Sequence, residues 1–151
     1  YTAINAGAGG TTGAAIVEVF EVGGATVPLL NISTRARVGT GTDVMIGGFI
    51  IQGTSPRTVV VRARGPSLAP FGITAFLANP TLTVFSGQSA IASNDDWAVG
   101  PYVDQVISRG FVPADALESV VVLTLAPGAY TAVVSGVGGG TGVGLVEVFL
   151  Q

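Results

Sequence analysis

"YTAVVSGVGGGTGVGLVEVFLQ", residues 130–151, decides how this chain reads. Two apolar, β-branched runs flank a glycine-rich loop, and the second run is "LVEVFL". Successive side chains of a strand point to opposite faces. Val146, Val148 and Leu150 therefore share one face, and Leu145, Glu147 and Phe149 share the other. Both faces are mainly apolar, which places the strand in a sheet interior with Glu147 partly buried. Two such runs around a glycine loop read as a hairpin. The pattern also opens the chain: "YTAINAGAGGTTGAAIVEVFEV", residues 1–22, agrees with it at 12 of 22 positions at an offset of 129.

The same kind of segment recurs between these ends. Short runs rich in Val, Ile, Thr and Phe predict strands over 14–22, 31–38, 44–52, 58–64, 81–86, 120–125, 130–135 and 143–150. The stretches "GTGTD", "QGTSP", "GPSLAPFG", "SGQSA", "APGA" and "GVGGGTG" break them. Only "TAFLAN" (74–79) and "YVDQVISRG" (102–110) carry weak helix patterns. The expected fold is an all-β sandwich of jelly-roll type, with an N-terminal hairpin duplicating the C-terminal one. Residues 1–22 then form an arm, 23–29 a glycine-containing linker, and 30–151 the sandwich domain.

Composition narrows the chemistry. The chain has 151 residues, a domain-sized length. It is 48% hydrophobic and only 10% charged, yet no apolar run approaches the roughly 20 residues of a spanning helix. Membrane insertion is not expected, and no secretory signal pattern opens the chain, so an exported protein would already have lost it. There is no Cys, His or Lys. The usual zinc, copper and haem ligands are missing, as are a Schiff-base lysine and a lysine isopeptide crosslink. A net charge of −3 argues against nucleic acid.

Three motifs invite chemistry. The glycine loops at 7–13 and 136–144 lack the G-x-G-x-x-G spacing of a dinucleotide site and run into β-patterns, not helices. "GPSLA" (65–69) puts Ser67 in a turn with no His or Lys base anywhere in the chain. "SNDDW" (93–97) groups Asn94, Asp95 and Asp96, oxygen donors of the kind calcium takes, but Asn and Asp also build turns on their own backbone. No catalytic residue and no obligatory cofactor is expected; calcium stays open. The carboxylates Glu18 and Glu147 need partners if buried, and two "RAR" motifs supply them. Arg35 with Arg37, and Arg62 with Arg64, each lie on one strand face.

From "NPTLTVFSGQSAIASNDDW" to "TLAPGAYTAVVSGVGGGTGVGLVEVFL", residues 79–150, the chain is similar to the pre-peptidase C-terminal-like β-sandwich modules of secreted bacterial proteins. "LNISTRARVGTGTDVMIGGFII" and "VVVRARGPSLAPFGI" resemble uncharacterised tandem repeat domains of large exported bacterial proteins. The resemblance implies a non-catalytic module at an extracellular or cell-surface location, with a calcium site only at Asn94, Asp95 and Asp96. In such an array residues 1–22 would close a preceding unit. Three explanations for the duplicate follow: a remnant of a longer array, a second hairpin within one sandwich, or an arm that docks on a neighbouring molecule.

The third has the clearest drive, since an isolated hairpin is marginal in water and strand addition, as in pilins, supplies hydrogen bonds and burial. Ile16, Val17, Val19, Phe20 and Val22 would be the polymerisation arm. A head-to-tail contact of this kind does not close, so the partner would be the chain itself, in a homopolymer. The sequence-based expectation is a structural subunit of an extracellular filament or surface assembly. The alternative is a calcium-stabilised, non-catalytic binding or spacer module from a tandem array in a secreted adhesin or enzyme.

Overall fold

The computed structural model describes residues 1–21 and 29–151. Eight strands form two four-stranded antiparallel sheets packed face to face. They are β1 (Asn31–Val38), β2 (Met45–Ile51), β3 (Arg57–Arg64), β4 (Pro80–Ser86), β5 (Ser89–Asn94), β6 (Ser119–Leu125), β7 (Gly128–Gly136) and β8 (Gly142–Leu150). One sheet has the order β1-β8-β3-β6 and the other β2-β7-β4-β5. The expected sandwich is therefore the observed one, and seven of the eight expected strands lie within about two residues of their predicted bounds.

Period-2 alternation builds the core. Val38, Val59, Val61, Ala63, Val146 and Val148 of one sheet meet Met45, Leu82, Val84, Ala132 and Val134 of the other, all buried. A second cluster covers the outer face of β3 and β6. There Val60, Val120 and Val122 pack beneath Trp97, Phe111, Phe149 and the short helix α1 (Val103–Ser108). Helix α1 falls inside the expected 102–110 segment. The 74–79 segment is not helical; Phe76 makes an isolated parallel bridge to Val143 instead. A 3-10 turn forms at Pro66–Phe71, where Pro at the start presets φ. Among the described residues no helix is long and apolar enough to cross a membrane.

One expectation needs correcting in its geometry. Residues 130–151 do not form a hairpin, because β7 and β8 belong to different sheets. The glycine loop carries the chain across the sandwich, as an arch. From β1 to β8 every connection except β4–β5 crosses between sheets. Along its length β8 therefore pairs with β1 and β3, not with β7.

Candidate functional site

The arch between β7 and β8 is the built form of the repeated motif. Its loop is a 3-10 turn at Val137–Gly139, with Gly138 at φ 60° and ψ 21° and Gly139 at φ 81°. A side chain is strained in that left-handed region, so both positions call for glycine. Gly140 N donates to Val137 O at 3.0 Å. Beyond the loop, Glu147 lies across from Arg62 in the β3–β8 register. Glu147 Oε2 accepts from Arg62 Nε at 2.9 Å and sits 2.7 Å from Nη2 and 3.8 Å from Arg64 Nη1. The Arg62 guanidinium stacks over Phe149 and Phe111, 5.0 and 5.7 Å from their ring centres. The planar fork thus satisfies a nearly buried carboxylate and lies on aromatic faces at once.

The first copy keeps the turn and loses the sheet. Ala8–Gly10 form the same 3-10 turn, with Gly9 at φ 65° and ψ 20° and Gly10 at φ 78°. Thr11 N donates to Ala8 O, as Gly140 N does to Val137 O. On both sides of this turn, residues 1–7 and 11–21 pair with nothing in a sheet. The strand expected over 14–22 is absent from 14–21; Val22 and linker residues 23–28 lie outside the described residues. The physical reason is the arch itself. Its two halves belong to separate sheets and cannot bond each other, so without two sheet edges to join, neither half has a partner.

The consequence is exposed apolar surface. Val17 and Val19 are each 54% exposed, whereas their counterparts Val146 and Val148 are 2% and 7%. Ile16 and Phe20 are more exposed still. Glu18 makes no hydrogen bond or ion pair among the described residues, and neither do Arg35 and Arg37 side chains. The ion-pair residues expected from sequence therefore divide into one set that meets, Glu147 with Arg62 and Arg64, and one set that stands apart.

The sandwich has an open mouth at one end. There β1 and β2 are the edge strands of the two sheets. All of β1 except Val38 is exposed, and Ile32, Ile46 and Ile50 present apolar side chains with Leu29 and Leu30 beside them. At the other end edge strand β5 is also largely exposed, but edge strand β6 is mostly buried, and Asn94 Oδ1 accepts from Val120 N at 2.9 Å, occupying an edge donor. The arm faces the β1–β2 mouth across open space lined by both. A hydrogen bond from Leu29 N to Glu21 Oε2 (3.0 Å) ties its base, and Val19 reaches a small cleft with Leu30, Ile32 and Ile50. No strand-type bonds join arm to mouth among the described residues.

The acidic turn at 94–96 is woven into the fold. Asn94 Nδ2 donates to Asp96 O and Val99 O, both at 3.2 Å. With its amide turned to satisfy both groups, Asn79 donates to Leu117 O and to Asp95 Oδ1 at 3.2 and 3.1 Å. Trp97 pins the turn by donating from N to Glu118 O and from Nε1 to Asp115 O. Burial, and then the adjacent Asp96 carboxylate, push the Asp95 pKa upward. No cluster of three or more acidic side chains suited to a metal occurs among the described residues.

Sequence reasoning missed Glu118. Fully buried, its Oε1 accepts from Ser67 Oγ at 2.6 Å, Gly65 N at 2.9 Å and Ser67 N at 3.0 Å. Arg64 Nε donates to the same Ser67 hydroxyl at 2.8 Å. Ser67 is therefore a turn residue whose hydroxyl staples the 65–68 turn to the start of β6. The signal available was a lone Glu directly before an apolar strand; its partners lie 51 and 53 residues away in sequence.

No family model and no curated protein matches this chain. Among solved structures it is similar to the pre-peptidase C-terminal domain of a Bacillus anthracis collagenase, at 14% identity and a TM-score of 0.47, over 81% of this chain and 90% of that one. It is also similar to PliG, a periplasmic inhibitor of g-type lysozyme from Aeromonas hydrophila, at 15% identity and 0.46, over 81% and 87%.

Proposed function

We propose that this chain is the structural subunit of an extracellular filament or surface assembly, polymerising without covalent bonds by adding its N-terminal arm to a neighbouring copy. The observation that carries this reading is the arm itself. Residues 1–21 hold the turn of the β7–β8 arch but leave exposed Val17 and Val19, whose counterparts Val146 and Val148 the arch buries. The donated element is thus an arch with one strand for each sheet, not a hairpin. Burying Val17 and Val19 is worth on the order of 3–6 kcal/mol before the cost of ordering the arm, and partial cover of Ile16 and Phe20 adds to it. New main-chain hydrogen bonds along two sheet edges add to it. The sandwich then serves as scaffold, with no catalytic role.

The test is negative-stain imaging beside light scattering on the full chain and on a chain of residues 23–151. Filaments from the first and folded monomers from the second are expected. Folded monomers from both would overturn the reading and leave the arm as the remnant of a tandem array.

A further inference from the structure

We propose that the acceptor for the arm is the β1–β2 mouth of a second copy, with Glu18 of one chain set opposite Arg35 of the next. The inference rests on the filament reading and adds the docking site and its register.

Three independent features point to this mouth. The first is a second repeat. "RAR" occurs on β1 as Arg35–Ala36–Arg37 and on β3 as Arg62–Ala63–Arg64, while "VEVF" occurs in the arm and on β8. In the folded sandwich β8 lies beside β3 with Glu147 opposite Arg62 and Val148 opposite Val61. Shifting that pair by two strand positions puts β1 where β3 stands and the arm where β8 stands. Glu18 then falls opposite Arg35, Ile16 opposite Arg37, and Val19 opposite Thr34.

Hydrogen-bond phase is the second. Leu150 N donates to Leu30 O, so in the β1–β8 register the even-numbered residues of β1 direct their backbone groups at β8. The backbone groups of Asn31, Ser33, Arg35 and Arg37 consequently face the open edge. On β8, Gln151 N donates to Thr58 O, so Glu147 and Arg62 are a hydrogen-bonded pair. Glu18 opposite Arg35 needs the same phase, and β1 presents it. A slip of one residue would turn Glu18 inward and Val17 and Val19 outward.

Charge and chain direction are the third. Arg35 and Arg37 lie on the outer face with Ser33, since Ser33 is level with Glu147 and Arg35 with Leu145. Neither has an acidic partner in its own chain among the described residues. The arm supplies the carboxylate. Because β1 runs antiparallel to β8, and β2 to β7, an arch with the sense of β7–β8 adds antiparallel to both mouth strands. Both sheets thereby gain a fifth strand. Among the described residues the arm touches its own mouth only at its base and makes no strand-type bonds to β1 or β2, which leaves both edges open to the arm of another copy.

The absence of cysteine makes the register directly testable. Thr34 and Val19 would form a non-hydrogen-bonded pair, the closest kind of cross-strand neighbour and within disulfide reach. A full-length chain carrying Val19→Cys is mixed with one carrying Thr34→Cys under mild oxidation and run on a denaturing gel. A covalent heterodimer is expected, with at least a tenfold lower yield when Val17→Cys replaces Val19→Cys. The double variant Val19→Cys/Thr34→Cys should give a ladder of covalent multimers. A monomer closed by an internal disulfide would overturn the proposal by showing that the arm closes its own mouth. Filaments of the unsubstituted chain without this crosslink would overturn the acceptor and leave the filament reading standing. No filaments at all would overturn both.

Discussion

Arg62 and Glu147 meet at 2.7 Å across neighbouring strands, with side chains only 15% and 11% exposed, while Arg35 and Glu18, the same residues of the same motifs, do not meet within one chain. Removing Glu147 leaves the Arg62 guanidinium over the packed Phe111 and Phe149 rings without its counter-charge. Glu147→Ala should therefore cost about 3 kcal/mol of folding stability. Glu18→Ala, at an exposed site, should change monomer stability by no more than about 0.5 kcal/mol and act on assembly instead. Urea denaturation of both variants, beside light scattering, separates the two roles. Equal destabilisation would mean that both copies are buried in the same body.

Gly138 and Gly9 make a matched pair of the same kind. Both hold positive φ that a Cβ resists. Gly138→Ala should lower stability by roughly 1 kcal/mol, because the β7–β8 arch is part of the fold. Gly9→Ala should leave the melting temperature unchanged but raise the protein concentration needed for assembly. Thermal unfolding and concentration-dependent scattering check the two effects.

The Ser67–Glu118 staple predicts graded losses. Ser67→Ala removes one hydroxyl donor and should cost about 1–2 kcal/mol. Glu118→Ala strands two buried backbone donors and the Ser67 hydroxyl, and should cost about 3–4 kcal/mol. Neither is expected to alter assembly beyond the fraction of chain that fails to fold. Guanidinium denaturation gives the order.

Asp95 sets a small pH dependence. Its pKa is raised by burial and then by Asp96, from an ordinary 3.8. The folded chain therefore holds that proton more tightly than the unfolded one, so this contribution is present below the ordinary value and is lost as pH rises through the folded pKa. Asp95→Asn removes the penalty and retains an acceptor for Asn79. Because the side chain is largely in solvent, the melting temperature should rise by only about 1–2 °C at pH 7 and not at pH 3. A loss at pH 7 would mean that the charged form is needed there, as a bound cation would require.

Local pattern was sufficient for most of the strands, since alternation and β-branching mark a half-buried ribbon wherever it pairs. Residues 31–38, 58–64 and 143–150 read correctly for that reason, and the "RAR" and "VEVF" motifs named the residues of the Arg62–Glu147 pair. Strand β5 escaped notice because "SAIASN" is small, polar and largely exposed, as an edge strand tends to be. Glu118 was silent because a buried carboxylate is defined by donors brought from far along the chain.

The sequence by itself determined that a pattern of two apolar runs around a glycine loop occurs twice, and the two loops share a turn because positive φ at glycine is a local property. Only the tertiary structure decided that the unit is an arch between sheets and that one copy is built into the sandwich while the other is not. Nearly the same residues take opposite fates because a strand is stable only beside a partner, and partners are supplied by the rest of the fold.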